Sequence, residues 1–248
     1  MSFLKLDNVT YSYQDEKTII NHTSWEIKKG EFHSLLGRSG CGKTTLLKIG
    51  SGLLEPNKGA VYLGSKKIIR PSSEIGFVFQ APTLLEWKTV LENVLLPISL
   101  KRKPTKEDRE RAATLLRMMK LPDYDHHFPT ELSGGQQSRV AIARALIHHP
   151  SMLFLDEPFA ALDAITREDL QDDLLALCQD QKMTVLFITH DIAEAVYLSD
   201  HVAIMESGEI TFDLTVSLPK PRKSSDRYSS LFNEHCLKVR DAMNGGKE

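Results

Sequence analysis

Eight consecutive residues, Gly37-Arg38-Ser39-Gly40-Cys41-Gly42-Lys43-Thr44, match the pattern G-x-x-x-x-G-K-[ST] without a mismatch. Glycines at these spacings let backbone N–H groups turn inward around a string of phosphates, and a following helix adds the positive end of its dipole. Lys43 is placed to reach the outer phosphates and the Thr44 hydroxyl to hold Mg²⁺. The context suits this chemistry: Glu31 to Leu36 reads as a strand and Thr45 to Ile49 as the start of a helix. The pattern implies a nucleoside triphosphate site.

A second constellation is Met152-Leu153-Phe154-Leu155-Asp156-Glu157, four apolar residues and then two carboxylates. A strand buried on both faces reads this way, and its carboxyl end is where ligands sit in open α/β sheets. Asp156 there supports Mg²⁺ through water and Glu157 polarises an attacking water. A third is Leu132-Ser133-Gly134-Gly135-Gln136, two glycines before a predicted helix from Gln137 to His149. Exposed N–H groups and a small hydroxyl at a helix start make a second anion-binding site.

The elements that must position these groups follow from periodicity. Strand-like runs at Phe3 to Val9, around Ile27, at Phe32 to Leu36, Ala60 to Leu63 and Ile75 to Phe79 fill the first third of the chain. From about Pro82 to Pro150 the pattern is helical: Thr89 with Glu92 and Thr105 with Asp108 resemble capping boxes, and Ala112, Leu115, Leu116 and Met119 form an apolar stripe. Strands return at Met152 to Leu155, Thr184 to Thr189 and Val202 to Met205. A helical block inside alternating strands and helices implies an α/β fold, a mainly parallel sheet carrying an inserted helical subdomain. After Leu218 a linker-like Pro/Lys/Arg/Ser stretch precedes a short helix with Phe232, Cys236, Val239 and Met243 on one face, expected to dock on its own domain.

Composition excludes several classes. With 248 residues, 41% hydrophobic and 26% charged, the chain can bury a full core. A net charge of −2 supplies no basic field, so nucleic acid is not expected as a partner. Three scattered cysteines, Cys41, Cys178 and Cys236, give no disulfide framework. No apolar run reaches the length of a bilayer span, and the N-terminus lacks a signal-peptide pattern. A cytosolic protein able to dock on a membrane partner is the expectation.

Together these strings resemble the ATP-binding-cassette (ABC) ATPases, over about residues 3 to 216 and in that family's motif order. Leu132 to Gln136 is similar to the family's signature motif. Tyr13 resembles the aromatic residue that stacks on adenine, and Gln80 the glutamine that touches Mg²⁺. Ala161-Leu162-Asp163 resembles the D-loop, and Thr189-His190-Asp191 the switch-histidine loop, which gives His190 a γ-phosphate role. The resemblance implies a P-loop core with an N-terminal antiparallel β subdomain, one cassette over 1–218 with a helical insertion at about 82–150, and a C-terminal segment over 219–248. It implies ATP and Mg²⁺ as ligands: Gly37 to Thr45 and Tyr13 for the chain's own nucleotide, Ser133, Gly134, Gly135 and Gln136 for that of a second copy packed head-to-tail, and Thr44, Gln80 and Asp156 for the metal. Catalysis falls to Glu157, His190, Lys43 and Gln80.

Two strings, Val78 to Trp87 and Leu218 to Arg222, resemble the nitrate/sulfonate/taurine-type importer branch, although Glu86 stands where that branch normally has proline. This implies a separate membrane permease and, indirectly, a solute-binding protein, with the chain on the cytoplasmic face of the membrane. Leu84, Leu85 and Trp87 either line a groove for the permease or belong to the helical core. A soluble ABC ATPase that remodels a protein or nucleic-acid complex is the alternative, and an exporter subunit the third reading.

Overall fold

The computed structural model describes residues 2–13 and 17–245. In chain order the elements are β1 (Ser2–Ser12), β2 (Thr18–Lys28), β3 (Phe32–Leu36), α1 (Lys43–Gly50), β4 (Lys58–Leu63), β5 (Lys66–Lys67), β6 (Ile75–Val78), α2 (Val90–Val94), α3 (Leu96–Ser99), α4 (Lys106–Met118), α5 (Gly134–Leu146), β7 (Met152–Asp156), α6 (Ala164–Asp180), β8 (Thr184–Ile188), α7 (Ile192–Leu198), β9 (His201–Glu206), β10 (Glu209–Thr215) and α8 (Ser230–Met243). They form two compact units, one built from residues up to Ser72 together with those from Lys182 onward, the other from Ser73–Gln181.

The first unit holds an antiparallel sheet in the order β2-β1-β4-β5 and a run of strands β10-β9-β3-β8. β3 pairs in parallel with β8 on one side and β9 on the other, and β10 runs antiparallel to β9. All five residues of β3 and of β8 are buried, as their unbroken apolar character requires of strands covered on both faces. Helices α1 and α7 pack on these strands, and α8 packs on α7 and β9. Phe232 and Val239 are buried in that contact and Cys236 and Met243 half-buried, so the C-terminal helix does dock on its own domain. The Pro/Lys/Arg/Ser stretch before it is tied down. The Arg222 guanidinium is buried and donates to the carbonyls of Tyr197 and Ser199, while Lys220 pairs with Asp200 at 2.5 Å.

In the second unit β6 and β7 pair in parallel, and β7 is buried throughout. Both predicted capping boxes form, Thr89 with Glu92 and Thr105 with Asp108, and Ala112, Leu115, Leu116 and Met119 are all buried. Helix α5 begins at Gly134 rather than Gln137 because Ser133 caps it, and it ends at Leu146 rather than His149, which takes a left-handed φ of 53°. Two strand assignments fall short of the structure. β2 reaches back to Thr18 and ends one residue past Ile27, and β10 is an additional strand in which the half-buried Ile210, Phe212 and Leu214 alternate with exposed polar residues. Among the described residues no helix is long and apolar enough to cross a membrane.

Candidate nucleotide-hydrolysis site

The residues singled out in the sequence divide between the units: Tyr13, the Gly37–Thr45 loop and His190 belong to the first, and Gln80, Ser133–Gln136, Asp156 and Glu157 to the second.

In the first unit the glycine loop leaves the carboxyl end of β3. A Cβ on Gly37 would stand 2.4 Å from the Met205 carbonyl, and one on Gly42, whose φ is 110°, would stand 2.9 Å from the Ile19 carbonyl. Only glycine fits either position, and its freedom lets the loop fold back on itself ahead of α1, with Cys41 N–H donating to the Arg38 carbonyl at 3.3 Å. Lys43 lies back along this loop, its Nζ donating to the carbonyls of Gly37 at 2.8 Å and Arg38 at 3.1 Å. A cavity of about 690 Å³ opens beside the loop, lined by residues 17–19, 38–41, 205–208 and 243–245. Arg38, Ser39, Gly40 and Thr44 are exposed and Cys41 half-buried, whereas Thr45 is buried behind the helix start. The end of α8 borders the cavity, a role that nothing local in the C-terminal sequence signals. Tyr13 is not among the described lining residues; it sits edge-on to Tyr11, ring centroids 4.9 Å apart. His190 is exposed one residue beyond the buried Thr189. Its loop is braced at both ends, with Thr189 Oγ1 donating to Glu194 at 2.5 Å and Asp191 capping α7 through Ala193 N at 2.8 Å.

In the second unit β7 delivers a buried Asp156 and then a half-buried Glu157. Glu157 has φ 45°, a left-handed backbone unusual for a residue with a side chain and of the kind that collects at active sites. Gln80 Nε2 donates to Glu157 Oε2 at 3.3 Å, so two of the predicted catalytic residues meet. The segment after Gln80 is held by two side chains not singled out in the sequence. Arg144 donates to the carbonyls of Pro82 (2.6 Å) and Thr83 (2.8 Å), and the fully buried Asn93 donates to Leu85 O (3.1 Å) and accepts from Leu85 N (2.8 Å). Leu84 and Leu85 are half-buried there, while Trp87 is 74% exposed and cannot be core.

Ser133 and Gln136 form a reciprocal capping box, Ser133 N to Gln136 Oε1 at 2.8 Å and Gln136 N to Ser133 Oγ at 3.3 Å. The two glycines have different surroundings. A Cβ on Gly134 meets nothing within 4 Å, whereas one on Gly135 would lie 2.6 Å from the Thr166 methyl of α6. Gly135→Ala is therefore expected to destabilise the chain by about 1–3 kcal/mol through overpacking, with Gly134→Ala costing less. Urea unfolding of the two variants checks this, and equal midpoints would contradict it.

A model of the ABC transporter family matches residues 20–160. The chain is 42% identical over 241 residues to an uncharacterised ABC transporter ATP-binding protein of Methanocaldococcus jannaschii, covering 95% of this chain and 89% of the relative. It is 42% identical over 216 residues to the aliphatic sulfonates import ATP-binding protein SsuB of Bacillus thuringiensis subsp. konkukian, covering 86% and 85%. Among solved structures, a dimeric ATP-binding cassette in a post-hydrolysis state with ADP and Pi superposes with a TM-score of 0.77 at 36% identity, over 87% of this chain and 100% of that one. The cbiO1 protein of Clostridium perfringens, part of the ABC transporter complex cbiONQ, superposes with a TM-score of 0.81 at 26% identity, over 99% and 98%. Motif order, fold and relatives agree: the chain belongs to the ABC transporter family, as one of its ATPase cassettes.

Proposed function

We propose that this cassette hydrolyses ATP to power uptake of a small solute through a separate membrane permease, working as a head-to-tail pair on the cytoplasmic face of the membrane. The observation that carries the importer reading is Trp87. A large aromatic ring 74% exposed, on a segment anchored by the buried Asn93 and by Arg144, is shaped as a contact for another protein. That segment begins at Gln80, which touches Glu157, so a contact at Trp87 has a short route to the catalytic carboxylate. SsuB relatives, named as import ATP-binding proteins, support the same direction. A solute-binding protein would act indirectly through the permease, and the net charge of −2 supplies no overall basic field for nucleic acid.

In this reading residues 1–218 form the cassette, with a helical insertion at about 82–150, and 219–248 pack on it as a tail. The N–H groups of Gly37 to Thr44 and the Lys43 ammonium would hold the outer phosphates, and Tyr13 the adenine. The glycines fit that task, since at Gly37 and Gly42 a side chain would collide with neighbouring backbone. Thr44, Asp156 and Gln80 would hold Mg²⁺, an all-oxygen donor set suited to a hard cation. When bound, Mg²⁺ neutralises charge on the outer phosphates. Glu157 takes a proton from the attacking water as its oxygen bonds to the γ-phosphorus and the bridging oxygen leaves with ADP. His190 orients the γ-phosphate. Ser133 and Gly134, exposed at the start of α5, face the partner's nucleotide, with Gln136 and Gly135 shaping that helix start from beneath.

The test is Trp87→Ala. The isolated variant should hydrolyse ATP as the parent does, while its affinity for the permease falls by about 2 kcal/mol, as for an interface anchor. Permease affinity and solute uptake in reconstituted vesicles report this; unchanged coupling would remove the importer reading of this segment.

A further inference from the structure

Away from the glycine loop, at the opposite end of β3, three side chains with no part in nucleotide chemistry converge. Glu31 precedes β3, His33 is its second residue and His201 opens β9; the two histidines are direct partners in the parallel pairing of these strands. His33 Nε2 lies 2.9 Å from Glu31 Oε2, and His201 Nε2 lies 4.0 Å from Glu31 Oε1. One donor atom from each residue falls within 4.8 Å of the other two. The imidazole rings stack with centroids 4.5 Å apart and planes 16° from parallel.

The surroundings prepare these atoms for ligation. His201 Nδ1 is 3.3 Å from Asp213 Oδ1, and Asp213 Oδ2 accepts from Trp25 Nε1 at 3.3 Å. A carboxylate on Nδ1 draws the proton there and leaves the Nε2 lone pair facing Glu31, the arrangement that orients metal-binding histidines. His33 is only 2% exposed, whereas the Glu31 and His201 side chains keep 23% and 20%, so the cluster is closed from behind and open to solvent in front.

We propose that Glu31, His33 and His201 form a binding site for a divalent transition cation of the zinc class. Two imidazole nitrogens and a carboxylate oxygen suit zinc, cobalt, nickel or copper, whereas magnesium and calcium take all-oxygen sets. Ligand bonds of about 2.0–2.2 Å require the donors to draw together from their present spacing. Bound there, the cation would clip β3 to β9 at the end of β3 remote from the phosphate loop and stabilise the folded chain by mass action.

The test is titration of the full chain, free of nucleotide, Mg²⁺ and any polyhistidine tag, with CoCl₂. One equivalent should bind with visible absorption, be displaced by ZnCl₂ and raise the unfolding temperature. His201→Gln and Glu31→Gln should each weaken cobalt binding at least tenfold and abolish that rise. Asp213→Asn, which keeps all three ligands, should weaken it about 10- to 100-fold. Glu31→Gln, at a partly exposed position, decides the matter if His201→Gln does not fold. Absence of cobalt binding by the parent chain overturns the proposal, as does unaltered affinity in a folded His201 or Glu31 variant, which would put the metal elsewhere.

Discussion

Replacing Glu157 by glutamine should leave ATP binding intact and lower turnover about 10²- to 10⁴-fold, the range for loss of a general base. The amide is the same size and can still meet Gln80, whose Nε2 now donates to Glu157 Oε2 at 3.3 Å, so the geometry of the loop should survive. It cannot accept the proton that attacking water must lose. Binding of a fluorescent nucleotide together with single-turnover phosphate release separates the two effects. A variant that turns over at the parent rate would remove Glu157 from the base role, and one that no longer binds nucleotide would make the residue structural.

Lys43→Ala should be as severe by a different route. The ammonium lies along the glycine loop, held by the carbonyls of Gly37 and Arg38, and is the cation positioned to meet the outer phosphates. A charge-assisted hydrogen bond is worth about 1.5–3 kcal/mol, so nucleotide affinity should fall roughly 10- to 100-fold. Hydrolysis should fall further, about 10²- to 10³-fold, because charge grows on the transferring phosphoryl group. Lys43→Arg should not restore it, since a planar fork does not replace a compact ammonium at this depth. Calorimetric ATP binding and steady-state hydrolysis give the two numbers. Near-parent turnover in Lys43→Ala would mean that the loop is not the active cradle.

The features legible in the sequence were those written in local backbone chemistry. The phosphate loop declares itself because its turns demand glycine at Gly37 and Gly42, and the buried strand β7 because four apolar residues precede two carboxylates. The caps at Thr89 and Thr105 follow the same local logic. Ser133 and Gln136 obey it too, but the glycines between them mask the helix start and shift its expected beginning to Gln137. What could not be read lies far apart along the chain. Gly135 is confined by Thr166 of the next helix, Arg144 reaches back to Pro82, and His33 meets His201 only because β3 and β9 are neighbours. Strand β10 does carry a period-2 pattern, Ile210, Phe212 and Leu214 between polar residues, but three half-buried apolar positions are a weaker signal than the unbroken apolar runs of β7 and β8.

The central claim is that one copy's phosphate loop and another copy's α5 start enclose a single ATP. It is tested most directly by disulfide trapping between Ser39→Cys and Gly134→Cys, both exposed positions, in a chain whose three native cysteines are replaced and whose turnover is stopped by Glu157→Gln. Gly134 is the better position than Gly135 because a side chain there meets nothing in its own chain. The expected result is an interchain crosslink that forms with ATP and Mg²⁺ and is absent without nucleotide. Failure to crosslink at saturating ATP and high protein concentration would contradict the paired site.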